Sequence, residues 1–206
     1  MRMSVEQHIF HSEVVGALIK EALEFFDATP LERLPLQTPF AGTGVYALYY
    51  TGQYDHYAFY AKRSKRIPIY IGKAVPQGWR QGRLTTEASV GRELYRRIRE
   101  HAKNIDVSEN LDAGDFEARF MIFKDDTVNL ISTIESALIR KYNPLWNSIV
   151  DGFGNHDPGK GRYNQAVSEW DFLHPGRMWV ARLTGQKPEI EEIIAKIRKY
   201  MEGLDG

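Results

Sequence analysis

Two short runs constrain the chain most: Thr43–Tyr50, TGVYALYY, and residues 68–74, PIYIGKA. Each is apolar, β-branched and aromatic, of strand length, and each carries a glycine and tyrosines within it. Segments of this kind fit a pleated, largely buried surface, so they demand a sheet. They do not by themselves demand chemistry, because tyrosine in a strand is usually there for packing. What the chain does is read from the residues that follow them.

With 206 residues and 43% apolar content there is material for one large domain, or one domain with appendages. The absence of cysteine excludes disulfides, thiolate nucleophiles and Cys-ligated zinc. That suits a reducing cytoplasm, the expected location. No apolar run approaches the roughly 20 residues of a membrane span, so no membrane partner is expected. The first 15 residues, interrupted by Glu and His, do not have the pattern of a signal peptide.

Formal net charge is zero, yet its distribution is uneven. From Lys62 to Lys103 there are 12 Lys/Arg against three Glu, a net of +9 that the rest of the chain must offset. Seven acids against Arg119 and Lys124 fall between Asp106 and Asp126. One basic segment on an acidic body is the pattern of a phosphate-facing surface.

Taken in order, residues 1–39 read as an N-terminal helical arm, 40–150 as a core, and 151–206 as a C-terminal extension. In the arm, Ser12 is placed to cap a helix with Val14, Val15, Leu18, Ile19, Ala22, Leu23 and Phe26 along one face. Pro30, Pro35 and Pro39 then preclude regular structure. A polar, tyrosine-rich insert, residues 52–66, separates the two strands and carries Arg63 and Arg66. After the second strand, read over residues 67–72, come Lys73 and a loop with Trp79, Arg80, Gln81 and Arg83, residues suited to base edges: Arg to guanine, Gln to adenine.

Residues 89–103 read as a helix buried along Val90, Leu94, Ile98 and Ala102. Arg97 and His101, one turn apart, share the flank of that stripe at the edge of the core. Phe116–Phe123 alternates as a third strand, and residues 129–142 form a second core helix. There Glu135 lies between Ile131 and Ile139, a carboxylate in an apolar stripe, which is costly unless a cation or donor meets it. Pro144 prevents that helix from continuing, and the turn ends in Asn147. The glycine-rich stretch 151–162 mimics a P-loop but has Gly161 where Ser or Thr must bind magnesium, so nucleotide binding is rejected. It reads instead as a loop gripping a phosphate backbone through His156, Lys160 and Arg162. The tail helix, on Ile190, Ile193, Ile194, Ile197 and Met201, reads as packing or dimerisation.

Gly44-Val45-Tyr46 and Tyr70-Ile71-Gly72 resemble the two halves of the signature of the GIY-YIG nucleases. The order strand, insert, strand, helix with Arg, strand, helix with Glu, then Asn resembles that core over about residues 42–148. GVYALYY, PIYIGKAVPxGWRQ, RIREHxxNI, ESALIRKYNPLWNSIVDGFGNH and WDFLHPGR are similar to the type II restriction endonucleases that cut CCGCGG. One departure is the 23 residues between Tyr46 and Tyr70, where the family has a tight hairpin.

The resemblance implies an α+β fold, a small, mainly antiparallel three-stranded sheet flanked by helices, with helical additions at both ends. It implies hydrolysis of both strands of duplex DNA by a homodimer using Mg²⁺, for which Mn²⁺ can substitute. A cognate DNA methyltransferase is then a genetic partner rather than a bound subunit. Glu135 would bind the ion, and Arg97 would hold the phosphate through its forked donors. Tyr46 is the candidate general base, aided by Lys73 or His101 because a phenol ordinarily titrates near about 10. His101 as base with Tyr46 as its partner is the open alternative. Tyr70 would orient water or phosphate, and Asn147 would tie the site's loops together. Two rival readings are a structure-selective or mobile-element nuclease of the same superfamily, and a non-catalytic DNA-binding module.

Overall fold

The computed structural model describes residues 5–63, 66–76, 78–79 and 91–204. A four-stranded sheet has the order β1-β4-β2-β3, with β1 Glu32–Arg33, β2 Thr43–Tyr50, β3 Tyr70–Ala74 and β4 Phe116–Phe123. Every pairing is antiparallel. The helices are α1 Glu13–Ala28, α2 Ala58–Lys62, α3 Glu93–Asp106, α4 Ile131–Tyr142, α5 Leu145–Ser148, α6 Glu169–Leu173 and α7 Ile190–Leu204. No helix among the described residues is long and apolar enough to cross a membrane.

β2 is central, and all eight of its residues are buried because both faces of the sheet are covered. Tyr46, Leu48 and Tyr50 join a core with Leu94, Ile98 and Ile105 of α3, Trp146, Trp170 and the apolar face of α7. Val45, Ala47 and Tyr49 point the other way, against Phe26 of α1 and Ile131, Ile134 and Leu138 of α4. The strict alternation of a strand thus sends the two signature tyrosines, Tyr46 and Tyr70, toward α3 and leaves Lys73 on the α4 side.

Several sequence expectations need correction: the second strand, read over residues 67–72, is β3 Tyr70–Ala74 and includes Lys73, because its ladder with β2 runs on to Gly44. The sheet has a fourth strand, since the proline-flanked arm still pairs Glu32 with Ala118 and Arg33 with Glu117. Ser12 stands at the α1 N-cap without a side-chain capping bond. α1 packs from Ile19 onward, through Ile19, Ala22, Leu23 and Phe26, while Val14, Val15 and Leu18 are exposed. The described part of α3 begins at Glu93; Val90 lies outside the described residues. A 3₁₀ turn, Asp125–Leu130, takes up the expected start of α4. α4 ends as read, with Asn143 in the left-handed conformation (φ 43°) before Pro144.

The insert between β2 and β3 is no solvated loop. Its Tyr57 is fully buried, receives the Trp146 Nε1 proton at 3.0 Å, and lies 2.6 Å from His174 Nε2. His174 Nδ1 is 2.7 Å from Asn110 Oδ1, so this network binds insert, core and C-terminal region together. Burial, aided by His56 and Arg177, holds the His174 imidazole down to about 3. Between about pH 6.5 and 3 the unfolded chain therefore takes up a proton that the folded one refuses. Stability should fall from this site by about 1.4 kcal/mol per pH unit as acid is added. His174→Gln is expected to flatten the acid side of a Tm-against-pH curve; an unchanged slope would mean that His174 is not held neutral.

Candidate active site

The ladder between β2 and β3 sets Tyr46 opposite Gly72. The close approach depends on the glycine: a Cβ there would fall 2.4 Å from the Tyr46 hydroxyl. That hydroxyl reaches past Gly72 to His101 Nε2 of α3, at 2.6 Å, with both side chains fully buried. His101 was expected at the edge of the core; it sits inside it, because Phe153 covers it in a stack with ring centres 4.5 Å apart and planes at 23°. Its Nδ1 has no hydrogen-bond partner among the described residues. Burial, then the charges of Arg97, Arg177 and His156, pushes its pKa well below 6.5, so the ring is neutral at pH 7.

Tyr70 completes the aromatic cluster, 6.2 Å from the Tyr46 ring and 5.2 Å from His101. Burial raises the Tyr46 phenol well above its ordinary value; the Tyr70 phenol adds to this, and Arg97 opposes it. Tyr70 is also raised by burial, lowered by Arg97 and raised by the charge of Glu135. Arg97, half-buried on α3, donates to His156 Nε2 at 2.7 Å, to Glu100 Oε2 at 3.0 Å and to the Gly154 carbonyl at 3.4 Å. His156 Nδ1 lies 3.1 Å from Glu100 Oε1.

Glu135 is partly buried, as a carboxylate inside an apolar stripe must be, and it has the cation it needs. That cation is Lys73, at 2.7 Å, rather than Arg97. Lys73 leaves β3 on the α4 side, yet the Glu135 charge is felt at Tyr70, so the carboxylate lies within electrostatic reach of the phenolic cluster across the edge strand. Asn147 holds that strand: its Oδ1 accepts from Ile71 N and its Nδ2 donates to Ile71 O, both at 2.8 Å. A single amide side chain therefore reproduces the hydrogen bonds of a neighbouring strand.

Tyr46, Tyr70, Arg97, His101 and His156 form one cluster, with Lys73 and Glu135 beside it and Asn147 behind it. Other candidates are not brought to it. Arg63 donates to the Leu204 carbonyl, and Arg66 pairs with Glu117, whose ladder partner Tyr49 lies on the opposite face from Tyr46. Trp79 packs partly buried against the α4-side core. Lys160 and Arg162 are exposed on the glycine-rich loop. Arg80, Gln81 and Arg83 lie outside the described residues. Part of the basic segment is also neutralised within the fold, by Glu117 and Glu135 from elsewhere in the chain. Sequence reading missed Phe153; a lone aromatic amid glycines was the available signal.

Adjacent strands bearing GVY and YIG, a helix bringing Arg and His beneath them, a second helix bringing Glu and an Asn clamp behind define a GIY-YIG nuclease. The model of a family described as the Eco29kI GIY-YIG domain matches residues 38–201, and the chain belongs to that family. It is thus of the restriction-endonuclease branch, a nuclease with DNA as partner. No curated protein matches it.

Proposed function

We propose that this protein is a type II restriction endonuclease that hydrolyses both strands of duplex DNA at CCGCGG, acting as a homodimer in the cytoplasm with Mg²⁺, for which Mn²⁺ can substitute. In this reading residues 40–150 form the nuclease core, 1–39 and 151–206 its additions, and a methyltransferase of the same specificity protects the host. The observation that carries the catalytic part is the buried 2.6 Å contact between Tyr46 and His101. The recognition sequence is supported by likeness of segments alone.

Hydrolysis of a phosphodiester needs a base for water, stabilisation of developing charge and fixed orientation. Burial keeps the Tyr46 phenol protonated, so it can take a proton from water only as it passes its own on. Neutral His101 compensates, because its Nε2 lone pair accepts the phenolic proton. As water gives its proton to Tyr46 Oη, the proton of Tyr46 passes to His101 Nε2. The water oxygen bonds to phosphorus, and the ester oxygen opposite leaves with its electron pair. Arg97 offers its forked donors to the non-bridging oxygens, with His156 beside it, and Tyr70 orients the attacking water or the phosphate. Exposed Lys160 and Arg162 grip the backbone further out; Arg63, Arg66, Trp79, Arg80, Gln81 and Arg83 are the remaining candidates for DNA contact.

Among the described residues no group of three or more His, Cys, Asp or Glu could hold a metal. Glu135 nonetheless fits magnesium, which keeps several waters and binds through one or two carboxylates. This carboxylate already accepts a cation in Lys73. When bound there, the ion supplies Lewis-acid stabilisation of the charge that develops on phosphate oxygen.

Plasmid DNA incubated with the protein and Mg²⁺ is expected to give discrete bands whose ends all map to CCGCGG. Cleavage confined to branched or nicked DNA would establish a structure-selective nuclease instead, and retarded but uncut plasmid a binding module.

A further inference from the structure

We propose that Arg177, the last residue of the WDFLHPGR segment and so far without a role, is a positioning residue for the reaction, acting through residues 152–154. The proposal rests on the reading of Arg97 and His101 as catalytic. Arg177 is buried, and its guanidinium lies over the Trp170 ring at 4.3 Å. Nη1 donates to Asp171 Oδ1 at 3.2 Å and to the Gly152 carbonyl at 3.3 Å; Nη2 donates to the Phe153 carbonyl at 2.6 Å. Asp171 is itself fixed by the Ser168 hydroxyl, which donates to Oδ2 at 2.7 Å. One planar fork thus grips two successive carbonyls while a carboxylate holds the fork.

The gripped segment supplies two walls of the catalytic cluster. Phe153 stacks on His101 and meets Tyr70 edge-on at 4.8 Å, and the Gly154 carbonyl accepts from Arg97 Nη2. Gly152, at φ +104°, is pressed so closely on Ser168, the N-cap of α6, that a Cβ would fall 1.9 Å from Ser168 Oγ, so the segment is fixed at its root as well. Arg177 therefore sets where Phe153 and Gly154 stand, and through them the imidazole and guanidinium that meet the phosphate. A merely stabilising ion pair would not need its cation aimed at these two carbonyls.

The test uses the full chain carrying Arg177→Lys, Phe153→Leu, or both. Lysine keeps the charge beside Asp171 but loses the fork that serves both carbonyls. Single-turnover cleavage by Arg177→Lys is expected to slow at least about tenfold, since a 1 Å misplacement alone can cost about a hundredfold. Kd for duplex DNA in metal-free buffer should stay within about threefold, because the damage lies in orientation rather than in binding. The double variant should be no slower than the slower single, because both changes act along one route. Rate losses that multiply, a matching loss in Kd, or an unslowed, folded Arg177→Lys would each overturn the proposal. Should Arg177→Lys melt below the assay temperature, Phe153→Leu decides alone, and a wild-type rate there overturns it. Arg97→Ala is run alongside: if it cuts at the wild-type rate, the catalytic reading has failed, whereas a dead Arg97→Ala beside an unslowed Arg177→Lys sinks only the positioning role.

Discussion

Glu135→Ala is expected to abolish cleavage while leaving DNA binding intact in metal-free buffer. The substitution removes a hard oxygen donor, and among the described residues no cluster of acids or histidines stands ready to replace it. Lewis-acid stabilisation is worth several kcal/mol, so the single-turnover rate in Mg²⁺ should fall by about a thousandfold or more. Folding should survive, because alanine suits a helix and Ile131 and Ile134 remain to pack. Lys73 loses its partner and becomes free to meet phosphate, so binding measured by gel shift in EDTA should hold or tighten. Near wild-type cleavage would remove Glu135 from the reaction, and lost binding would point to damage of the fold.

Tyr46→Phe carries the second large effect. It deletes one oxygen, keeps the ring that packs against α3, and takes from His101 Nε2 the hydrogen bond it makes with the phenol. General-base catalysis contributes typically about 10²–10⁴-fold, and the single-turnover rate should fall by that order. The unsatisfied imidazole should cost about 1–3 kcal/mol of stability. The wild-type pH profile bears on the same pair. Only neutral His101 can accept the phenolic proton, and its pKa lies well below 6.5, so the acid limb of the cleavage rate should lie below pH 6.5. A limb at or above 6.5 would mean that the imidazole titrates as if exposed. If Tyr46→Phe keeps its rate, the base is elsewhere.

What was legible in the sequence was whatever short-range pattern decides. β2 and β4 begin and end where their apolar and aromatic residues do. Glu135 could be singled out because a charge in an apolar stripe is a local contradiction, visible without knowing what resolves it. Its partner could not be read, since Lys73 and Glu135 meet only once β3 and α4 have packed. The depth of His101 was hidden for a similar reason: periodicity placed it on a flank, and the residue that buries it lies 52 positions further on. β1 was missed because two residues are too few to show alternation. The insert reads as polar although Tyr57 and Tyr60, three residues apart, are both buried, because a short 3₁₀ turn running into α2 brings them to one side. Arg177 and Phe153 carried no local anomaly, and only tertiary packing makes one significant to the other.

The Asn147 clamp on Ile71 also shapes the edge of the sheet. β3 is one margin of the sheet, where bare amides and carbonyls would invite a stray polypeptide to add itself as a further strand. The side-chain amide occupies the hydrogen-bonding groups of Ile71, and the opposite margin is only the two residues of β1, followed closely by Pro35. At Ile71, then, a second chain finds no free backbone group to pair with.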